Sequence, residues 1–300
     1  MLGFLQVSDG HQLYYERVGK PGGTPVLFVH GGPGSGFTQR HKKLFDPNRY
    51  DAVFYDQRGS GKSRPYLSLE GNTTQNLIDN IEKLRAHLKI EKWVLAGASW
   101  GATLALLYAE AYPGRVAGLS LMSIFLATHA ESLRFVDGST ADTFPEIWNR
   151  FAAFAPLDFR SNIVAYYLER MRTGTDTEQE RAAYLWALYD IALSTGEYSE
   201  EVLAPVVRAL SYRSLALMTA YYIENDFFLS ENAILQNAGA IARIPLSIVQ
   251  GSRDPITPPE AAQKLHRALP RARLLMYEDL HAGEQLVNRF VSETARLCGV

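Results

Sequence analysis

Gly97-Ala98-Ser99-Trp100-Gly101 is the stretch on which the reading of this chain turns. It follows an apolar run, Trp93-Val94-Leu95-Ala96, and precedes a helix-forming one, Ala102 to Ala111. A strand, a tight turn with a central serine and then a helix lift a hydroxyl clear of the end of a sheet. A turn that sharp leaves almost no room for side chains on either flank, and Gly97 and Gly101 meet that need. Ser99 is therefore the expected nucleophile. The Trp100 amide, first in the helix, faces the same point.

Working outward, strand-like and helix-like segments alternate. Phe4 to Val7 and Gln12 to Val18 read as antiparallel strands joined by a turn at Ser8-Asp9-Gly10-His11. Pro25 to Val29 and Tyr50 to Tyr55 read as buried strands, the first running into His30-Gly31-Gly32-Pro33-Gly34. Thr74 to Leu88 carries apolar residues at helical spacing: Leu77, Ile78, Ile81, Leu84 and Leu88. Val116 to Met122 is a further strand. Such alternation implies an α/β fold, a mostly parallel sheet wrapped by helices.

From Ile124 to Gly239 strand-like runs disappear, and long amphipathic stretches rich in Trp, Tyr and Phe replace them. Helices are expected at Trp148 to Phe154, Ile163 to Met171, Ala182 to Leu193 and Leu215 to Tyr222. The sheet pattern resumes at Ile244 to Gln250, followed by a helix from Pro259, a strand at Arg273 to Tyr277 and a last helix from Glu284. The expected organisation is a catalytic domain of residues 1–123 and 240–300, split by a helical lid of residues 124–239.

Bulk properties narrow the partners. The 300 residues carry a formal net charge of −2, so neither nucleic acid nor an anionic membrane is expected as a partner. The single cysteine, Cys298, excludes an internal disulfide framework. Met1 to Asp9 lacks the layout of a signal peptide, and a cytoplasmic enzyme is the expectation. Neither H-E-x-x-H nor paired Cys and His residues occur, so no metal and no cofactor is expected. Gly59-Ser60-Gly61-Lys62-Ser63 resembles half a phosphate loop. Asp56 stands where that loop needs glycine, and its carboxylate would repel a phosphate.

A serine hydroxyl needs a base, and the base an orienting carboxylate. The order serine, acid, histidine points to Asp254, just past a buried strand, and His281, in the loop after the next strand. Both fall where strand C-termini gather a site. Glu278 and Asp279 are rival acids, but lie too close to His281 in sequence to reach its far nitrogen readily. The Trp100 amide and an amide of the glycine loop, that of Gly32, are the expected oxyanion donors. His30 is expected to order that loop.

His30-Gly31-Gly32-Pro33-Gly34, Asp56-Gln57-Arg58-Gly59-Ser60-Gly61-Lys62-Ser63 and Gly97-Ala98-Ser99-Trp100-Gly101 together resemble the proline iminopeptidases, serine peptidases of the α/β-hydrolase fold. The likeness spans the whole chain. It implies removal of an unblocked N-terminal residue, usually proline, from a small peptide without a cofactor, by a triad of Ser99, Asp254 and His281. It also implies lid carboxylates that hold the substrate's amine. Glu224 matches the acid of an R-I-E-N-H-Y-F-like segment, here Tyr222-Ile223-Glu224-Asn225-Asp226-Phe227-Phe228. Asp190 stands for the glutamate of a W-x-x-W-E-like segment, here Trp186-Ala187-Leu188-Tyr189-Asp190. The departures are aspartate at 190, tyrosine at 189, aspartate at 226 and Asp279-Leu280 before His281. They bear on selectivity for proline, not on hydrolysis.

Two other readings keep the fold. An esterase or amidase acting on a small acyl or aminoacyl metabolite would use the same machinery, because fold does not fix substrate. A ligand receptor built on this fold would bind without turnover. Asp190 and Glu224 pointing toward Ser99 would favour a substrate bearing an amine.

Overall fold

A computed structural model describes residues 1–20 and 22–300. The elements in chain order are β1 (Leu2–Gln6), β2 (Gln12–Gly19), β3 (Thr24–Val29), α1 (Gln39–Lys42), β4 (Tyr50–Tyr55), α2 (Thr74–His87), β5 (Trp93–Ser99), α3 (Trp100–Ala111) and β6 (Val116–Ile124). Then come α4 (His129–Arg134), α5 (Pro145–Ala152), α6 (Ile163–Thr173), α7 (Asp176–Thr195), α8 (Glu200–Arg208), α9 (Tyr212–Glu224) and α10 (Ala233–Asn237). β7 (Leu246–Gly251), α11 (Pro259–Ala268), β8 (Arg273–Tyr277) and α12 (Glu284–Cys298) complete the chain. The eight strands form one sheet in the order β1-β2-β4-β3-β5-β6-β7-β8. β1 and β2 are antiparallel to their neighbours, and the strands from β4 through β8 pair in parallel.

The central strands are buried on both faces, and their residues alternate between two cores. Leu27 and Val29 of β3, Val53 and Tyr55 of β4, and Trp93 and Leu95 of β5 join the core that includes α2 and α3. Val26, Phe28, Ala52, Phe54, Val94 and Ala96 join the opposite core with Leu286 and Phe290 of α12. Side chains two apart share a face, so near-continuous apolar runs are the signature of strands covered on both sides.

Between β6 and β7 the described chain is helical, and helical turns continue to Ile241, just past Gly239. α7 packs against α5, α6, α8 and α9. It begins at Asp176 rather than Ala182, because Thr175 and Glu178 form a capping box whose first turn is polar. α8 carries Pro205 in its interior, which hides it from a periodicity reading.

Two devices tie this helical segment and the β1–β2 turn to the sheet's loops. Arg58, fully buried, donates to Asp9 Oδ2 at 2.8 Å and to the Gly71 carbonyl at 3.0 Å. α9 donates to the glycine loop: Ser214 Oγ to the Gly34 carbonyl at 2.8 Å and Thr219 Oγ1 to that of Pro33 at 3.3 Å.

Phe54 is fully buried among Phe28, Phe37 and Phe45, with ring centroids 5.6–5.9 Å away. Phe54→Ala is expected to lower unfolding free energy by about 3–5 kcal/mol. A urea titration followed by fluorescence checks this; a loss under about 1 kcal/mol would show that this face is not part of the cooperative core.

Candidate active site

Ser99 ends β5 at φ 55°, ψ −129°, a backbone region that non-glycine residues occupy only when their surroundings force it. The surroundings are specific. A Cβ on Gly97 would lie 2.4 Å from the Gly101 carbonyl oxygen, and one on Gly101 would lie 2.1 Å from that of Val29. Neither position accepts a side chain. α3 starts at Trp100, and the amides of its first turn have no partner within the helix. The positive end of its dipole therefore faces the region of Ser99.

His281 lies in the loop after β8 and Asp254 in the loop after β7, and their side chains meet. His281 Nδ1 and Asp254 Oδ2 are 2.8 Å apart. Asp254 Oδ1 accepts from the amides of Ile256 and Thr257, both at 2.9 Å, and Oδ2 accepts from Thr257 Oγ1 at 2.7 Å. Burial alone would push the Asp254 carboxyl up. The neighbouring His281 and these hydrogen bonds outweigh burial and hold it below the ordinary value. Burial alone would push His281 down, and Asp254 outweighs that, so its pKa is raised. Ser123 Oγ donates to the His281 carbonyl at 2.6 Å, and the next residue, Ile124, pairs with Ser99 in the sheet. Among the described residues, neither Ser99 Oγ nor His281 Nε2 has a hydrogen-bond partner.

The glycine loop abuts the serine. A Cβ on Gly31 would lie 3.5 Å from Ser99 Cβ, and Gly32 has φ 110°. His30, fully buried, accepts the Gln57 amide at Nε2 (3.0 Å), which leaves Nδ1 to donate to the Gly31 carbonyl at 2.9 Å. Burial pushes the His30 pKa down to about 4, so the ring is neutral near pH 7.

Of the two expected amine-binding carboxylates, one interacts electrostatically with His281. Asp190 on α7 is half-buried and has no protein hydrogen bond or ion pair among the described residues. Burial pushes its pKa up to about 6, and the charge of His281 opposes that shift. Glu224, last in α9, is exposed, and no described contact joins it to His281 or Asp190. Asp226 pairs with His129 at 2.7 Å on the surface. Tyr189 is buried packing, stacked on Phe151 with its hydroxyl donating to the Phe135 carbonyl at 2.8 Å.

Sequence reasoning missed four supporting residues: Gln57, Ser123, Gln250 and Thr257. Gln250 Oε1 accepts the Ile124 amide at 2.8 Å while its Nε2 donates to the Thr257 carbonyl at 2.8 Å, fastening β6 to the Asp254 loop. Only Thr257 left a signal, the Asp-Pro-x-Thr spacing of a side-chain-stabilised turn. Asp279 accepts its neighbour's amide, Leu280, and not His281. In the phosphate-loop-like segment Asp56 itself takes the Phe37 and Lys62 amides, at 2.9 and 2.8 Å.

Among the described residues, no three His, Cys, Asp or Glu side chains gather to hold a metal ion. Nor is any described helix long and apolar enough to cross a membrane. A hollow of about 1000 Å³ between α7, α8 and α9 is lined by Asp176, Glu180, Arg181, Tyr184, Arg208 and Tyr212 among others, none of them a site residue. Its acids are largely paired, Glu180 with Arg213 and Glu200 with Arg150.

The sheet order, the serine turn between β5 and α3 and the loops after β7 and β8 define an α/β-hydrolase. The model of the α/β hydrolase fold family matches residues 24–283. The chain is 39% identical over 289 residues to a proline iminopeptidase of Arabidopsis thaliana, covering 94% of this chain and 75% of that one. It is 38% identical over 283 residues to one of Neisseria meningitidis serogroup B, covering 93% and 89%. An esterase from Exiguobacterium antarcticum shares the fold over the full length of both chains, with a TM-score of 0.66 at 20% identity. The chain belongs to the proline iminopeptidase family, and it is a hydrolase.

A histidine acts as a base only when neutral, so with His281 as the expected base its raised pKa moves the acid limb upward. Labelling of Ser99 by a fluorophosphonate is expected to rise with pH around a midpoint above the ordinary 6.5 and to be lost below it. Asp190→Asn removes a charge that raises His281, so the midpoint should fall. Labelling rates across pH 4–9 check this; an unmoved midpoint would show that Asp190 does not act on His281.

Proposed function

We propose that this enzyme is a serine aminopeptidase that removes an N-terminal proline, or another small residue, from short peptides and aminoacyl amides. Residues 1–123 and 240–300 form its catalytic domain, and residues 124–239 form a cap that carries the amine-binding carboxylates. The observation that carries the reading is Asp190, a half-buried carboxylate without a hydrogen-bond or ion-pair partner among the described residues, near enough to His281 for the two charges to act on each other. A carboxylate in that setting is stabilised by a bound cation, and the substrate's ammonium supplies one.

Ser99 Oγ attacks the carbonyl carbon of the first residue while His281 Nε2 takes the hydroxyl proton. Asp254 holds the imidazole by Nδ1 and stabilises the imidazolium. The Gly32 and Trp100 amides receive the oxyanion. The carbon–nitrogen bond then breaks, and His281 returns the proton to the departing amine. Water, deprotonated by His281, attacks the acyl-Ser99 ester; the carbon–Oγ bond breaks, His281 returns the proton to Ser99 Oγ, and the free amino acid leaves. Asp190 fixes the ammonium, and Glu224, exposed at the end of α9, adds a negative charge only from a distance. A blocked terminus lacks the charge and leaves Asp190 unpaired, which excludes it. The shorter aspartate at 190 leaves room for residues besides proline.

Purified enzyme assayed on Pro-, Ala- and Leu-arylamides, on N-acetyl-Pro-arylamide and on an aryl ester tests this. Expected are turnover of the free-amine substrates led by Pro, a loss of about 100-fold or more on acetylation, and no turnover by Ser99→Ala. Asp190→Asn should raise KM about 10- to 100-fold, and Glu224→Gln by less. Indifference to acetylation, or turnover of the ester alone, would make the enzyme an esterase or amidase.

A further inference from the structure

Gln57 is almost fully buried and touches both segments that carry the proposed oxyanion donors. Its Nε2 donates to the His30 carbonyl at 2.9 Å, at the start of the glycine loop. Its Oε1 accepts from Trp100 Nε1 at 3.1 Å, at the start of α3. Its own amide donates to His30 Nε2 at 3.0 Å. Gln57 is itself held, since its carbonyl accepts the Ser60 hydroxyl at 2.8 Å and the Ser60 amide at 3.2 Å.

We propose that the Gln57 side chain is the positioning group of the oxyanion site, setting the separation between the Gly32 and Trp100 amides, while the main chain at 57 helps to fix the direction of the first. The direction follows from peptide geometry. The Gly31 carbonyl and the Gly32 N–H belong to one planar trans unit and point opposite ways. Whatever fixes the carbonyl aims the N–H. The Gly31 carbonyl accepts from His30 Nδ1 and from Ser35 Oγ, both at 2.9 Å. Nδ1 carries the proton because the main-chain N–H of residue 57 occupies Nε2, a bond that any side chain at 57 leaves in place; the Gln57 carboxamide adds its own bond to the His30 carbonyl, which fixes the chain where it enters the glycine loop.

The separation follows from the carboxamide. One end donates and the other accepts, and the groups they meet lie on segments 70 residues apart in sequence, at His30 and Trp100. An apolar side chain of the same size fills the space but makes neither bond. A misplacement of the donors by about 1 Å costs roughly 100-fold in rate.

The inference rests on the serine–oxyanion reading but not on the identity of the substrate, so the test uses phosphonylation of Ser99 beside arylamide turnover. Gln57→Met removes both side-chain bonds. Trp100→Phe removes only the indole N–H and keeps the main-chain amide, and it serves if Gln57→Met does not fold. Each is expected to slow phosphonylation and kcat about 10- to 100-fold with KM changed less than about 3-fold, and the double variant to be little slower than the slower single one. Unchanged phosphonylation and kcat with a lowered Tm would overturn the proposal, leaving Gln57 a packing residue. Fully additive losses would overturn the coupling between the two residues. A wild-type enzyme that resists phosphonylation would fail the proposed function itself and this inference with it. A labelled wild type that ignores the free amine would fail only the substrate assignment.

Discussion

The site depends on one steric constraint, the contact of Gly101 with the carbonyl of Val29. Where a Cβ would have to stand 2.1 Å from a carbonyl oxygen, α3 lies as close to the end of β3 as two backbones allow. That closeness sharpens the turn and forces Ser99 to φ 55°. It also sets the glycine loop beside the serine, because His30 follows Val29 directly. The nucleophile and both proposed oxyanion donors thus derive their spacing from one approach of helix to strand. Gln57 and His30 then refine that approach with directional bonds, which steric contact alone does not supply.

Carboxylates of one kind take different roles here because their surroundings differ. Asp254 is met by two amides, a hydroxyl and an imidazole, and its charge is retained in spite of burial. Asp56 accepts two amides, yet burial dominates and its pKa rises to about 6. Asp190 has no protein donor among the described residues, and His281 opposes the rise of its pKa. The first suits a permanent charge that orients a base, the second a structural acceptor, and the third an open position for a ligand's charge.

Much of this was legible in the residues. Gly97, Ser99 and Gly101 declare the turn because a strand passing straight into a helix leaves no room for side chains at 97 and 101 and lifts the residue between them clear. The two-faced strands announce themselves as unbroken apolar runs. Asp254 was legible twice over, since the turn-stabilising aspartate and the partner of His281 are the same side chain. Gln57 and Gln250 were not legible as supports. A buried glutamine carries no periodicity and no spacing rule, and what it joins is decided by which strands lie adjacent. The helices α7 and α8 were read short or missed, because a polar capped first turn and an internal proline mask the apolar period.

The helical segment between β6 and β7 is bound to the loops of the proposed site more tightly than a cover need be. α9 donates from Ser214 and Thr219 to the carbonyls of the glycine loop, and Tyr222 donates to Asn72 at 2.9 Å, whose amide in turn holds the Arg58 carbonyl at 3.1 Å. Each such buried bond contributes about 1 kcal/mol net and leaves costly unpaired groups if broken. Lifting α9 away would therefore release the loop that carries the proposed oxyanion donor. α9 is thus built as a fixed wall of the proposed site. A fixed wall fits the proposed substrate. A single small residue offers little remote binding energy, so the donors and the amine-binding charges must already stand in place when it arrives.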